Sequence, residues 1–447
     1  MSSPDQRRSP VRLAVIGAGN RGQAYLDWVR SNQDRAVLVA VADPRSSARC
    51  EIRRGFADVH EYEDWRPLMA AADALDLDAV IVATQDRDHV QPCLAVAESG
   101  LALLAEKPLG VTAEECETIV AAVQRADIPF AVGHVMRYTP YTDLVRRVIG
   151  SGRIGEIINV QHLEPVGWWH AAHSYVRGNW RSTALSSPML LAKSSHDIDW
   201  LMYVTGKSIE SVASFSNRSH FRESAAPDGS AERCLDCAVE PDCAYSAKKI
   251  YLEPTQRSGR LQWPATVVTD GESEAELIEA LASGPYGRCV YRCDNDVVDH
   301  QVVALRFDDG TAGTFTMTSF SEHANRRTQF FGSRGSIDGD GDSIEVFDFA
   351  TGDRERIEVA TQGSFDAGGG HAGGDNGLIS AFVQALATGD RSLIRSGPME
   401  TLRSHLSVFA AEESRLHGQV KQVVLPGTSS RHPESEVPPA IGSSGLR

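Results

Sequence analysis

The sequence predicts an α/β fold: a doubly wound parallel sheet at the N-terminal end, then an α+β second domain with antiparallel strands. Three observations carry this. Residues 11–22 read VRLAVIGAGNRG, an apolar run ending in a GxGxxG turn, and Tyr25, Leu26, Trp28 and Val29 then follow at helical spacing. A second apolar run, 37–42, ends at Asp43, about 20 positions beyond the last glycine. From 11 to about 135 strand-like and helix-like segments alternate, the pattern of repeated βα units. At 447 residues the chain is too long for one ordinary core, so two domains are expected.

Each element has a local reason. Residues 1–10 are polar and expected to be disordered. After Asp43 a helix is expected over 46–56. The run DAVIVA (78–83) is continuous and apolar, as in a strand buried on both faces. It ends in Thr84-Gln85-Asp86-Arg87-Asp88-His89, ahead of a helix over 90–98. A short strand over 101–105 ends in Glu106-Lys107-Pro108. The pair Thr112 and Glu115 forms a capping box for a helix over 112–125, and 130–133 makes one more strand. Gly17, Asp43, Thr84, Lys107 and His134 all follow strands directly, so they should meet in one crevice at the strand ends.

From 140 the character changes. A helix is expected over 141–150 and a strand over 157–163. Long strands follow over 297–307, 313–320 and 343–349, joined by turn signals such as Asp308-Asp309-Gly310. Residues 365–375 form a glycine-rich loop carrying His371 and Asp375. Helices are expected over 377–388 and 399–416, and the chain from 426 is a Pro-, Ser- and Gly-rich tail. The division is thus a Rossmann-type domain over 11–137 and a second domain over 138–425, with a Cys-rich insertion at about 220–255.

Lys+Arg 44 against Asp+Glu 60 leaves a net charge of −16, which opposes nucleic-acid and anionic-membrane binding. The N-terminus lacks an apolar h-region and no stretch is long enough to span a membrane, so a cytoplasmic protein with reduced cysteines is expected. In the leading motif Gly17 allows the tight turn, Gly19 the close approach of a pyrophosphate, and Gly22 the packing of helix on strand. Asn20 and Arg21 open a helix whose free N–H groups favour phosphate. Asp43 suits the ribose hydroxyls of NAD, while Arg45 and Ser46 could accommodate the 2′-phosphate of NADP.

GxGxxG, the acid after the second strand, Glu106-Lys107-Pro108 and His196-Asp197-Ile198-Asp199, in that order, resemble the glucose–fructose oxidoreductase / inositol dehydrogenase / MocA family from about 11 to 425. The resemblance implies a Rossmann domain, an open-sheet α/β domain and a nicotinamide cofactor. It also implies redox chemistry at a carbinol carbon of a sugar or cyclitol. By that resemblance Lys107 favours the developing alkoxide and Glu106 lines the nicotinamide pocket. His196 serves as general base, with Asp197 or Asp199 orienting it. Where many members carry an aspartate four positions before the histidine, this chain has Ala192 beside Lys193, so either Lys193 replaces that acid at the substrate or another residue supplies the carboxylate. The cofactor set adds Asp86, His89, His134 and Arg137, and the substrate side adds Tyr138, Trp180, Arg181 and His371. Association through the exposed face of the second sheet, as a homodimer or homotetramer, is implied too.

Cys234, Cys237 and Cys243 (CxxC, five residues, C) have the composition of a structural zinc site, with Cys289, Cys293 or His220 to complete it. The set assigned is Cys234, Cys237, Cys243 and Cys293. The leading expectation is an NAD(P)-dependent dehydrogenase of a sugar, sugar derivative or cyclitol. The alternatives are a glycosidase that uses NAD transiently and a non-catalytic cofactor-sensing regulator on the same fold.

Overall fold

The Val-, Ala- and Leu-rich runs of the first domain are buried on both faces, and this is why they form a parallel sheet rather than exposed hairpins. A computed structural model describes residues 10–359 and 371–426. Strands β1 (Val11–Ile16), β2 (Ala36–Ala42), β3 (His60–Tyr62), β4 (Ala79–Val82), β5 (Ala102–Ala105) and β6 (Phe130–Val132) pair in parallel in the order β3-β2-β1-β4-β5-β6. The order reverses between β1 and β4, so a crevice opens at their C-terminal ends. Helix Ala113–Ala126 starts where expected, with Thr112 accepting from the Glu115 N–H. Glu115 reaches back to the N–H of Val111 instead of Thr112, so the box is offset by one residue.

The second domain is built on nine strands: β7 (Ile157–Pro165), β8 (Ile209–Asn217), β9 (His300–Phe307), β10 (Ala312–Thr318), β11 (Arg327–Gly332), β12 (Gly335–Gly339), β13 (Ser343–Asp348), β14 (Arg354–Glu358) and β15 (Lys421–Gln422). Their order is β14-β13-β12-β11-β7-β10-β9-β8-β15. Every pairing is antiparallel except β10 on β7. On β9 burial alternates strictly, with Val303, Leu305 and Phe307 inward on the helices Pro140–Gly150 and Met189–Thr205. The opposite face presents Ile158, Phe215 and Val302 to solvent.

Two features depart from expectation. The last helices return to the first domain: Leu378, Ile379, Phe382 and Val383 of Gly374–Thr388 complete one face of its core. Leu402 and Leu406 of Pro398–His417 complete the other. The insertion is also longer than 220–255: the whole span between β8 and β9 forms a lobe with its own core, including Phe221, Tyr251, Leu277, Leu281 and Tyr291. Among the described residues no helix is long and apolar enough to cross a membrane. The expected tail beyond 426, residues 1–9 and the glycine-rich stretch 360–370 lie outside the described residues.

Candidate active site

Gly17 sits at φ +93°, and a Cβ there would lie 2.4 Å from the Ala83 carbonyl oxygen; a Cβ on Gly22 would lie 2.2 Å from that of Gly17. The turn itself demands these two glycines. Gly19 is different: the nearest atom to a Cβ is Arg45 Nη2, at 3.8 Å. Gly19 is also the N-cap of helix Asn20–Ser31, which has no side-chain cap and no acid in its first turn. Uncapped N–H groups beneath open space are what an approaching pyrophosphate needs, so these residues fit a dinucleotide. Gly19→Ala is therefore expected to leave the melting temperature unchanged while weakening nucleotide binding about tenfold, roughly 1.4 kcal/mol. Gly22→Ala should lower the melting temperature itself. Thermal unfolding and an NAD(P) titration of both variants check the contrast.

Buried Asp43 closes the same turn. It accepts from the N–H groups of Ala18 (2.8 Å) and Arg45 (2.9 Å) and from the Arg45 guanidinium (3.1 Å). Burial alone would raise its pKa, but the Arg45 and backbone hydrogen bonds prevail and hold it below the usual carboxylate range. Just beyond β4 and β6, Thr84 Oγ1 and both ring nitrogens of His134 are buried with no hydrogen-bond partner among the described residues, although the Asp199 carboxylate stands 3.5 Å from His134 Nε2. Burial holds His134 down to about 3, so its ring is neutral.

Glu106 and Lys107 leave β5 side by side. Glu106 accepts from Arg21 Nε (2.8 Å), Tyr25 Oη (2.6 Å) and the Lys107 N–H (3.0 Å). Arg21 also pairs with Asp375 at 2.5 Å, so it bridges β5 to the returning helix. Lys107 Nζ donates to the Ala192 carbonyl on helix Met189–Thr205. Burial pulls the Lys107 ammonium down to about 8, with Glu106 and Asp86 opposing and Lys193 and Arg21 adding to the shift.

That helix presents two rows. Ala192, His196 and Asp199 turn toward the first domain, where His196 stands 6.3 Å from the His134 ring, centroid to centroid. Lys193 and Asp197 turn toward β7. Lys193 pairs with Glu164 at 3.2 Å. Asp197 accepts from His162 Nε2 (3.0 Å) and from Arg326, which also pairs with Glu164 at 2.9 Å. Burial would raise the Asp197 pKa, but Arg326 and His162 hold it far below the carboxylate range. Its carboxylate is thus committed to the sheet side rather than to His196. Asp199 is held at 2.7 Å twice by Arg137.

Several residues expected to contact a ligand also join segments of the chain. Asp86 accepts from Ser186 (2.9 Å), Ser187 (2.8 Å) and Trp180 Nε1 (3.2 Å), tying the 180s loop to the first domain. His89 lies against the carbonyls of Pro108 and Thr84. Arg137 also reaches the Arg395 carbonyl, and Tyr138 Oη accepts from the Arg395 N–H at 2.7 Å. Arg181 is taken by Asp294 at 3.0 Å. The His371 side chain lies outside what the structure describes.

Around the two lysines stand residues the sequence reading did not select. Trp169, His170, Tyr175, Trp263 and His323 form an aromatic wall. Trp169 and Trp263 are 5.3 Å apart, and His170 lies 5.7 Å from Trp263 and 5.4 Å from His323. Burial, then Lys193, holds His170 well below its ordinary pKa, so it is neutral. Only the HxxH of His170 and His173 was a visible signal; Trp263 comes from the lobe and Arg326 from the turn before β11.

Among the described residues no group of three or more His, Cys, Asp or Glu side chains stands ready to hold a metal ion. The expected zinc set of Cys234, Cys237, Cys243 and Cys293 is not drawn together: Cys293 Sγ donates to the Cys289 carbonyl at 3.3 Å.

A parallel sheet with a glycine cradle at its switch point, joined to an open mixed sheet carrying a lysine–histidine crevice, defines a two-domain dinucleotide-binding protein. Residues 11–134 match the NAD-binding Rossmann-fold model of the Gfo/Idh/MocA oxidoreductase family, and 146–421 match the family's C-terminal alpha/beta domain. The chain belongs to that family. It is similar to a 2,7-anhydro-N-acetylneuraminate hydratase of Mediterraneibacter gnavus, 26% identical over 45% of this chain and 51% of that protein. It is also similar to an inositol 2-dehydrogenase of Corynebacterium glutamicum, 28% identical over 45% of this chain and 56% of that protein. The chain thus spans about half the length of these curated relatives. In fold it resembles an oxidoreductase domain protein from Kribbella flavida, with TM-score 0.68, 20% identity and coverage of 94% and 100%. A scyllo-inositol dehydrogenase from Lactobacillus casei, with bound NAD(H) and scyllo-inositol, gives TM-score 0.64 at 15% identity and coverage of 93% and 99%.

Proposed function

We propose that this oxidoreductase moves hydride between a nicotinamide and the carbinol carbon of a sugar, sugar derivative or cyclitol. The supporting observation is Lys107, an ammonium lowered to about 8 and aimed at Ala192, one helical turn before His196. Gly17, Gly19, Gly22 and Asp43 would hold a dinucleotide, which when bound supplies the hydride acceptor or donor. Lys107 donates to the reacting oxygen and steadies its developing negative charge. His196 takes the hydroxyl proton in oxidation and returns it in reduction. Lys193, held by Glu164, offers a second donor where Ala192 supplies no carboxylate. The edge-to-face Trp169–Trp263 pair gives an aromatic surface against which the C–H face of a ring could pack. NAD is favoured over NADP, because a 2′-phosphate would meet Asp43. The apolar sheet face carrying Ile158, Phe215 and Val302 fits association into a homodimer or homotetramer.

A second reading rests on the missing aspartate at Ala192 and the similarity to a hydratase. In it the chain uses its nicotinamide transiently and eliminates or hydrates with no net redox change. One experiment tests both. The protein is denatured and any released nucleotide identified; native protein is then assayed on sugars, glycosides and cyclitols for reduced-cofactor absorbance and product together. Stoichiometric cofactor reduction is the expected result. Product without net absorbance change supports the second reading, and no nucleotide affinity at all overturns both.

A further inference from the structure

The lobe between β8 and β9 holds a feature that hydride transfer leaves unused. A cavity of about 20 Å³, room for one water-sized occupant, is bordered by Cys234, Cys237, Cys243, Cys289 and Arg177. Cys293 does not border it. Each of the four sulfurs accepts from a donor, while Cys234 Sγ itself donates to the Arg288 carbonyl at 3.9 Å, as the thiol it is without a metal. Arg177 Nη2 points at Cys234 Sγ (3.4 Å) and the Ala231 N–H at Cys237 Sγ (3.5 Å). The N–H groups of Tyr245 and Tyr291, each two residues on, serve Cys243 and Cys289.

Donors on all four sulfurs are of little use to neutral thiols, which accept weakly, and of much use to thiolates. Arg177 makes the same demand from the other side. It is fully buried and donates to the carbonyls of Arg288 and Tyr245. Among the described residues it has no carboxylate partner, and its Nη1 has no hydrogen bond. A buried cation without a counter-charge is costly. A divalent cation resolves both conditions: it displaces the four thiol protons to solvent, leaving a tetrathiolate centre of net charge −2 that Arg177 partly neutralises. Soft sulfur ligands in a four-fold set select zinc in a reducing compartment.

We propose that Cys234, Cys237, Cys243 and Cys289 bind one zinc ion, with Arg177 as its outer-shell cation. The sulfurs do not form a closed shell in the structure. The ion would staple the lobe that carries Trp263 to the crevice, so its role is structural.

The test uses the full chain purified from zinc-supplemented cells without chelator. Elemental analysis should find one zinc per chain. Cys237→Ser and Cys289→Ser should lose it, and Cys293→Ser should keep it. Replacement by cobalt should give the intense thiolate-to-cobalt absorption of a tetrahedral sulfur site. Wild-type protein that carries no zinc and takes none up after reduction overturns the proposal without recourse to any variant. Loss of zinc in Cys293→Ser with retention in Cys289→Ser overturns it too, as does iron with sulfide in place of zinc. Nucleotide titration of each variant reports on a separate domain and shows whether the chain has folded.

Discussion

Lys107→Met is expected to lower turnover roughly 10³-fold, the range for losing one donor to a developing oxyanion, while nucleotide affinity stays within a few-fold. The same substitution should raise the melting temperature. Unfolded Lys107 titrates near 10.5 and folded Lys107 near 8, so between these values the unfolded chain binds more protons and stability rises with pH. Below pH 8 the whole cost of holding a buried ammonium is present. An upper limit of about 3 kcal/mol follows from the shift, and screening at this partly exposed amine reduces it to about 1–2 kcal/mol. Methionine keeps the length of the side chain and removes that cost. In the wild type, carbonyl reduction should fall as pH rises through about 8, where Lys107 loses the proton it donates; in the variant this limb disappears. Steady-state kinetics from pH 6 to 10 and thermal unfolding at pH 7 check the pair. Turnover close to wild type would remove Lys107 from the reaction.

The parallel sheet was legible because its signals are local: apolar runs of strand length, glycines at fixed spacing, and an acid after the second strand. The runs that carry Lys107 and His196 were legible for the same reason, each being short and of recognisable order, and the structure brings Lys107 to the turn of helix just before His196. What escaped was long-range. Asp86, Arg137, Tyr138 and Arg181 also join segments: each bonds a hydroxyl, carboxylate or backbone N–H 62 or more residues away, while His89 meets carbonyls only 5 and 19 residues off, and none of this is marked along the chain. Asp197 sits beside His196 in sequence, but one residue of helix turns it by about 100°, onto β7. Strand β14 (RERIE) has no apolar alternation, because it is an exposed edge. The return of helix Gly374–Thr388 to the first domain leaves no local mark, since its apolar stripe fits either core.

Arg326 is the case where the missed contact carries the largest consequence for stability. Its side chain is 10% exposed and stands between Asp197, which is fully buried, and Glu164. Arg326→Met should destabilise the protein by about 3–5 kcal/mol, because two buried carboxylates then share only His162 and Lys193. The sign with pH separates this from simple loss of packing. In the wild type the lowered Asp197 pKa contributes stability above pH 3.8, lost as pH falls through the folded value. In the variant burial dominates and the pKa moves up, so the deficit is greatest at neutral and alkaline pH and narrows toward pH 4. Denaturant melts at pH 4.5 and 7.5 measure the difference. Asp197→Asn added to Arg326→Met should recover part of the loss at pH 7.5, since the amide removes one uncompensated charge. A deficit that is the same at both pH values, with no recovery in the double variant, would mean that Arg326 acts through packing alone. The expected coupling instead makes Arg326 the cation that lets helix Met189–Thr205 hold a carboxylate against β7 while presenting His196 to the crevice.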